Sequence, residues 1–322
     1  MTIRSHKIPK AYLKQFATVP KRKKYGKLVV YERGKEPRIG TPNSEASERG
    51  FFAAKQDDGV LDDSSAEQWA QTIEDGALHT LMYAASPIFV WTRENRRQMA
   101  EYWALMFLRT TSFYDFEENS AESIFRPQLE RLNTDADFRQ RLVSHYSLIL
   151  GRPIAEETIL NSVTKAITGL LTKDELRNQY VLNLRRRVDL FSKILLNKPW
   201  QVWTVPNGCE FVTCDSPVMT FRVDEWNRYY VGDGFGKAGV IVLLPLSPYT
   251  CLLAGQQGTS SKEISRDDVR EVNKIIISAC SRFVYSRTNR DGTNDLVQEF
   301  AGSVRYGVNA FKGDTDLDDF LF

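Results

Sequence analysis

Leu195-Leu196-Asn197-Lys198-Pro199-Trp200-Gln201-Val202-Trp203-Thr204 is the stretch at which the chain changes its grammar. Upstream of it, Leu176, Tyr180, Leu184, Val188, Phe191 and Leu195 recur every three or four residues and trace one face of a long helix. The stripe stops at Asn197-Lys198-Pro199, because proline lacks the N–H that the helical ladder needs and pushes the preceding residue toward extended geometry. Downstream, Gln201–Thr204, Glu210–Cys214, Val218–Val223, Tyr229–Val231, Gly239–Leu244 and Thr250–Ala254 are strand-length and rich in Val, Phe, Tyr and Thr. The pattern predicts an α+β fold: a helical N-terminal and middle half packed on an antiparallel or mixed sheet formed mainly by the C-terminal part.

Working outward, Trp69, Ile73, Ala77 and Leu81 repeat every four residues, with Ser64 or Ser65 as cap and Pro87 as terminator. Thr92 caps a second helix, in which Met99, Trp103, Met106, Phe107 and Thr110 share a face. Shorter helices are expected over 121–133, 135–150 and 155–170, broken at Gly151-Arg152-Pro153. Residues 28–33 read as a strand and 34–64 as mostly loop. Beyond the strands, helical spacing returns over Arg266–Cys280, and Phe283–Ser286 reads as a last strand. The organisation reads as a single domain, 1–322. A basic N-terminal element and loop (1–64) precede a helical subregion (65–198), a sheet-rich subregion (199–311) and an acidic tail (312–322).

A composition of 42% hydrophobic and 26% charged residues fits a protein with a buried core and argues against a disordered or fibrous chain. The longest apolar run, 238–246, is far too short to span a bilayer, so no membrane association is expected. The basic start lacks an apolar segment with a cleavage site, and Cys209, Cys214, Cys251 and Cys280 show no metal-ligand spacing. A reduced, cytoplasmic protein is the expectation. The net charge of +2 hides an asymmetry: the first 27 residues hold nine Lys or Arg and no acid, whereas Asp314–Phe322 holds four acids and no base.

Three stretches carry candidate chemistry. In the first, Pro9 opens a short helix that Tyr12, Leu13 and Phe16 dock on the core, leaving His6 just ahead of it. A histidine there can serve as general base, metal ligand or phosphate contact, and Lys7, Lys10 and Lys14 supply a field for an anionic substrate. A plain cap on a solvated basic helix is the simpler alternative. In the second, the strand Phe211-Val212-Thr213-Cys214 runs into Asp215-Ser216-Pro217, setting a carboxylate and a hydroxyl at a strand end. Asp-Ser-Pro is equally ordinary turn chemistry, and no nucleophile elbow surrounds Ser216. The third is polar residues on the helices. Glu74 sits beside the apolar stripe, while Glu101 and Arg109 lie two turns apart and point the same way. Partly buried carboxylates need a partner, and Arg109 offers one; a core ion pair and acid–base or metal use are both open.

Other signals weigh less. Gly234-Phe-Gly-Lys-Ala-Gly239 has the letters of a dinucleotide loop but precedes a strand, so it reads as a hairpin loop. Arg185-Arg186-Arg187 reads as a solvated helix face, with a nucleic-acid stripe as the alternative, and His79 and His145 have no ligand-like neighbours. Asp316–Phe322 looks like an acidic, Phe-ended docking tail, a candidate contact for a protein partner or for the chain's own basic start.

The element His6-x-x-Pro9-x-x-Tyr12-Leu13-x-x-Phe16, the strand end Thr213-Cys214-Asp215-Ser216-Pro217-Val218, Pro245-Leu246-Ser247-Pro248 after a hydrophobic strand, and Val272-Asn273 on a helix occur in an order and spacing that resemble the bacterial family known as domain of unknown function 4238. Cys214 stands where that family has serine, which argues against a role for a hydroxyl there. The resemblance implies a bacterial, archaeal or mobile-element protein and brings no reaction with it.

The functional expectation is a phosphoester-directed effector, a nuclease-like hydrolase of toxin or defence type acting on nucleic acid. His6, Asp215, Glu74, Glu101 and Arg109 are its candidate catalytic residues, and Lys7, Lys10, Tyr12, Ser216 and Asn273 would bind substrate. A divalent metal is an option whose ligands the sequence leaves unassigned. The alternative is a non-catalytic binding or regulatory module that recruits a partner through its charged ends.

Overall fold

The computed structural model describes residues 4–18, 26–55, 60–62, 64–84, 86, 89–149, 151–170, 172–223, 229–231, 234–256 and 261–304. The acidic tail and residues 19–25 of the basic N-terminal element lie outside the described residues, as does Pro87. The fold is α+β, as expected. The described chain divides into two compact units, residues 4–113 with 183–304 and residues 114–182.

The first unit opens with β1 (Arg4–His6), α1 (Lys10–Gln15), β2 (Leu28–Glu32), β3 (Arg38–Gly40), β4 (Ser47–Arg49), β5 (Ala54–Lys55), β6 (Leu61–Asp62), α2 (Ser65–Tyr83) and α3 (Arg93–Leu108). The 34–64 region, expected to be mostly loop, thus holds several very short strands. Next come α4 (Thr111–Thr134), α5 (Ala136–Ile149), α6 (Glu156–Leu170) and α7 (Lys173–Leu182), of which all but the first residues of α4 belong to the second unit. The first unit resumes with α8 (Leu184–Leu196), β7 (Trp200–Thr204), β8 (Thr213–Cys214), β9 (Met219–Val223), β10 (Tyr229–Val231), β11 (Ile241–Ser247), β12 (Thr250–Ala254), β13 (Ser261–Glu263), α9 (Arg266–Ser278), β14 (Phe283–Ser286) and α10 (Asp291–Phe300).

Two sheets share one apolar core. The larger has the order β10-β9-β11-β12-β7-β13, antiparallel except for the β13–β7 pair, and the smaller has the order β3-β2-β14-β8. Val29 and Tyr31 of β2, Phe221 of β9, Leu243 of β11 and Leu253 of β12 pack in one cluster with Val269, Val272 and Ile276 of α9. Helix α9 holds its place through a capping box: the Ser265 hydroxyl accepts the Asp268 N–H while the Asp268 carboxylate accepts the Ser265 N–H. In the helical part, Met99–Leu108 of α3 is almost wholly buried.

Several local readings change. Gly234–Gly239 is no hairpin loop, because β9 lies between β10 and β11 and pairs with both; the segment carries the chain past a strand. The expected Glu210–Cys214 strand shrinks to Thr213–Cys214, since upstream of it Phe211 N–H bonds the Pro248 carbonyl (2.7 Å) outside any ladder. Helix α4 starts ten residues earlier than expected, because the Thr110 hydroxyl accepts the Phe113 N–H (3.2 Å) and restarts the helix at once. Ser64 stands as N-cap of α2, as expected, but its side chain makes no capping bond; one Asp62 carboxylate oxygen instead accepts the N–H groups of Ser64 and Ser65, both at 2.9 Å. The long stripe over 176–195 is interrupted at Asn183, between α7 and α8.

The second unit buries Leu132, Phe138 and Leu142 against Ile159, Val163 and Ile167. Between α5 and α6, Gly151 takes φ +65°, a left-handed geometry that L side chains resist. Among the described residues, no helix is long and apolar enough to cross a membrane.

Candidate functional site

The N-terminal element is fastened to three places. β1 pairs with β4, and Lys7 N–H bonds the Ala46 carbonyl at 2.8 Å. Pro9 stands as N-cap of α1, and Tyr12, Leu13 and Phe16 are fully buried, so the expected docking of that helix is what the structure has. The Tyr12 hydroxyl lies 2.7 Å from the Thr213 hydroxyl and donates to the Pro245 carbonyl at 2.6 Å. Burial pushes the phenol well above its ordinary value, so it remains a donor at every working pH. Tyr12 is therefore a core clamp rather than a ligand contact.

The Asp-Ser-Pro turn is fastened as well. One oxygen of Asp215 accepts the Ser281 N–H (2.8 Å), and the other accepts those of Arg282 (2.8 Å) and Phe283 (3.0 Å). Asp215 N–H returns a bond to the Phe283 carbonyl, extending the β8–β14 pairing by one step. Although the residue is partly exposed, its carboxyl is enclosed, and burial pushes it up to about 6. The three N–H donors and the Lys7 ammonium pull the other way. The 2.7 Å contact between the Tyr12 and Thr213 hydroxyls shows that the start of the chain and β8, some two hundred residues later, share one neighbourhood. Cys214 donates its thiol to the Ser216 carbonyl (3.1 Å), and burial keeps that thiol protonated.

Between these two fastenings lies a run of hydroxyls. Lys7 Nζ reaches the Thr111 hydroxyl at 2.8 Å and Glu48 at 2.7 Å. The Ser112 hydroxyl is 2.6 Å from that of Ser216 and 2.6 Å from that of Ser281; the latter two are 3.4 Å apart. Thr111 and Ser112 open α4, and Ser281 lies in the turn before β14, so three distant segments converge here. Sequence reasoning nominated Lys7, Asp215 and Ser216 and missed Thr111, Ser112, Ser281 and Glu48. Thr110-Thr111-Ser112, three hydroxyl residues directly after an apolar helix, was a legible signal for two of them.

The remaining nominees divide. Arg109, with no exposed surface, binds Glu74 and the His6 carbonyl and lies over the Phe52 ring, 5.0 Å from its centroid. That is a core ion pair which also holds the N-terminal element; burial raises the Glu74 carboxyl against the pull of the guanidinium. Glu101 takes Arg97 as its partner instead, on a more exposed part of α3. Lys10 donates to the Asn43 side chain at 2.8 Å. Asn273 accepts the Val212 N–H and donates to the Glu210 carbonyl, both at 2.9 Å, which makes it a brace for the strand leading into Asp215. Among the described residues no group of three His, Cys, Asp or Glu side chains is arranged to hold a metal ion.

All four motif elements thus meet around residues 210–218. Tyr12 bonds into that segment at Thr213, Pro245 reaches it through Tyr12, the Pro248 carbonyl accepts the Phe211 N–H, and Asn273 braces it from α9. A family model described as "Protein of unknown function (DUF4238)" matches residues 4–290, and the chain belongs to that family. No curated protein and no solved structure matches the chain.

Proposed function

We propose that this chain is a phosphoester-directed protein whose receiving surface is the cluster Lys7, Thr111, Ser112 and Ser281, with recognition of the anion as its primary act. The single observation behind the reading is the convergence of one ammonium and a chain of hydroxyls at the junction of three segments. Rotatable hydroxyls turn their protons toward an anion at little cost, and an ammonium beside them supplies the charge. Lys7 is already paired with Glu48, but that carboxylate is about half exposed, and such a pair contributes only about 0–1 kcal/mol. The anionic oxygens of a phosphodiester backbone compete with it readily.

Hydrolysis is the second reading, and a specific observation favours it. A carboxyl pushed up to about 6, as in Asp215, sits in the range where general acids and bases work. Against it, both Asp215 oxygens are engaged by main-chain N–H groups, which is why recognition comes first. A nuclease-like toxin or defence role belongs to this second reading. A binding role for the charged ends rests in part on residues 19–25 and the acidic tail, which lie outside the described residues.

The test is fluorescence anisotropy of the full chain with labelled RNA, single-stranded DNA and duplex DNA at several salt concentrations, with and without Mg²⁺ or Mn²⁺. Product analysis of the same mixtures follows. Binding that weakens with salt and falls by about tenfold in Lys7→Ala and in Ser112→Ala supports recognition. Cleavage lost in Asp215→Asn supports hydrolysis. Wild-type affinity in both Lys7→Ala and Ser112→Ala would refute the assignment of the surface.

A further inference from the structure

Away from the hydroxyl cluster, α2, α3 and α8 line a half-open pocket of about 410 Å³, within the size range of small-molecule sites. Its floor is apolar: Trp69 and Ile73 come from α2, and buried Val188 from α8. Its rim is charged and balanced. Arg97 and Glu101 stand on α3, and Arg185 and Asp189 on α8, giving two guanidiniums and two carboxylates. Arg185 already lies over the Trp69 ring, 5.5 Å from its centroid.

Gly76 makes the pocket more than a surface irregularity. It sits inside α2 and lines the pocket, although glycine is the poorest helix former after proline. Packing does not require it: an added Cβ would meet nothing nearer than the Gln98 side chain at 3.7 Å, an ordinary contact. What the missing side chain provides is open space beside Trp69 and Ile73.

We propose that this pocket binds a small zwitterion with an aromatic or large apolar side chain, an α-amino acid by class. The ligand carboxylate faces Arg97 and Arg185, its ammonium faces Glu101 and Asp189, and its side chain rests on Trp69 and Val188. A ligand bearing only negative charge meets two carboxylates, and an uncharged apolar ligand strips water from four charges with nothing to replace it. The rim charges are held by exchangeable neighbours, Arg97 by Glu94 and Glu101, and Asp189 by Lys193, so a ligand displaces weak surface pairs. This gives Glu101 and the Arg185 side chain a place that the phosphoester reading does not use, and it stands independently of that reading.

Isothermal titration of the full chain with L-phenylalanine and L-tryptophan tests it, with N-acetyl-L-phenylalanine amide and adenosine monophosphate as comparison ligands. Saturable binding of the free amino acids is expected, weakened by at least about tenfold in the capped amide and in Glu101→Gln. Gly76→Leu grows a side chain into the pocket and should abolish binding without lowering the melting temperature. If Gly76→Leu does melt early, Arg185→Ala carries the same test. No saturable binding of either amino acid, unchanged binding in these variants, or preference for adenosine monophosphate would overturn the proposal.

Discussion

Replacing Tyr12 by Phe removes a single oxygen, yet the structure makes it one of the most consequential changes available. The phenol has one proton, which goes to the Pro245 carbonyl at 2.6 Å; the Thr213 hydroxyl at 2.7 Å then donates to the phenol oxygen. The β11–β12 ladder shifts register between Pro245 and Ser247, so this carbonyl sits at an irregularity in the sheet. Tyr12 and Thr213 have no exposed surface, and Phe in place of Tyr leaves the carbonyl and the threonine hydroxyl buried without that partner. Two net hydrogen bonds of about 1 kcal/mol each, plus part of the cost of stranding the groups, give a loss of roughly 2–4 kcal/mol. For a folding unit of this size that is a drop in melting temperature of about 5–15 °C. Calorimetry and urea unfolding of Tyr12→Phe, Thr213→Val and the double variant form a cycle, and the coupling should be about 1 kcal/mol or more. A loss under about 0.5 kcal/mol in Tyr12→Phe, or strict additivity, would refute the clamp. Because Tyr12 anchors the segment that carries Lys7, the same variant should also weaken anion binding at the hydroxyl cluster.

Asp215 makes stability depend on pH in an unusual direction. Its carboxyl rises from 3.8 to about 6 on folding, so between those values the folded chain keeps a proton that the unfolded chain has lost. The contribution is full below about pH 4 and is lost as pH rises through 6, roughly 3 kcal/mol in all. Urea unfolding between pH 4 and 7 should show this slope in the wild type and its absence in Asp215→Asn. Arg109→Ala strands the buried Glu74 carboxylate and should cost about 3–5 kcal/mol, whereas the double change Arg109→Met with Glu74→Leu should recover most of it; equal melting of the single and double variants contradicts the ion-pair account. Gly76→Ala should raise stability by about 1 kcal/mol, since the helix gains and the new Cβ meets only ordinary contacts. A fall in melting temperature would show that packing, and not pocket space, dictates that glycine.

The sequence by itself determined what local rules govern. The switch from helical to alternating spacing at Pro199 gave the α+β class, and the Thr92 cap and Gly151 break stand where residue chemistry predicts them. The burial of Tyr12, Leu13 and Phe16 was likewise readable from their spacing alone, and the motif residues were enough to identify the family. Only the tertiary structure decided what those residues touch. Arg109 faces Glu74 on another helix and not Glu101 on its own, because the backbone turns at Arg109–Thr110 and carries the guanidinium into the core. Asp215 looks like a free acid at a strand end until the turn before β14 is laid against it and three main-chain N–H groups close on its oxygens. Ser112 and Ser281 have no local signal that they meet. Hydrogen-bond partners far apart along the chain are chosen by how elements pack, and periodicity reports only which face of an element is apolar.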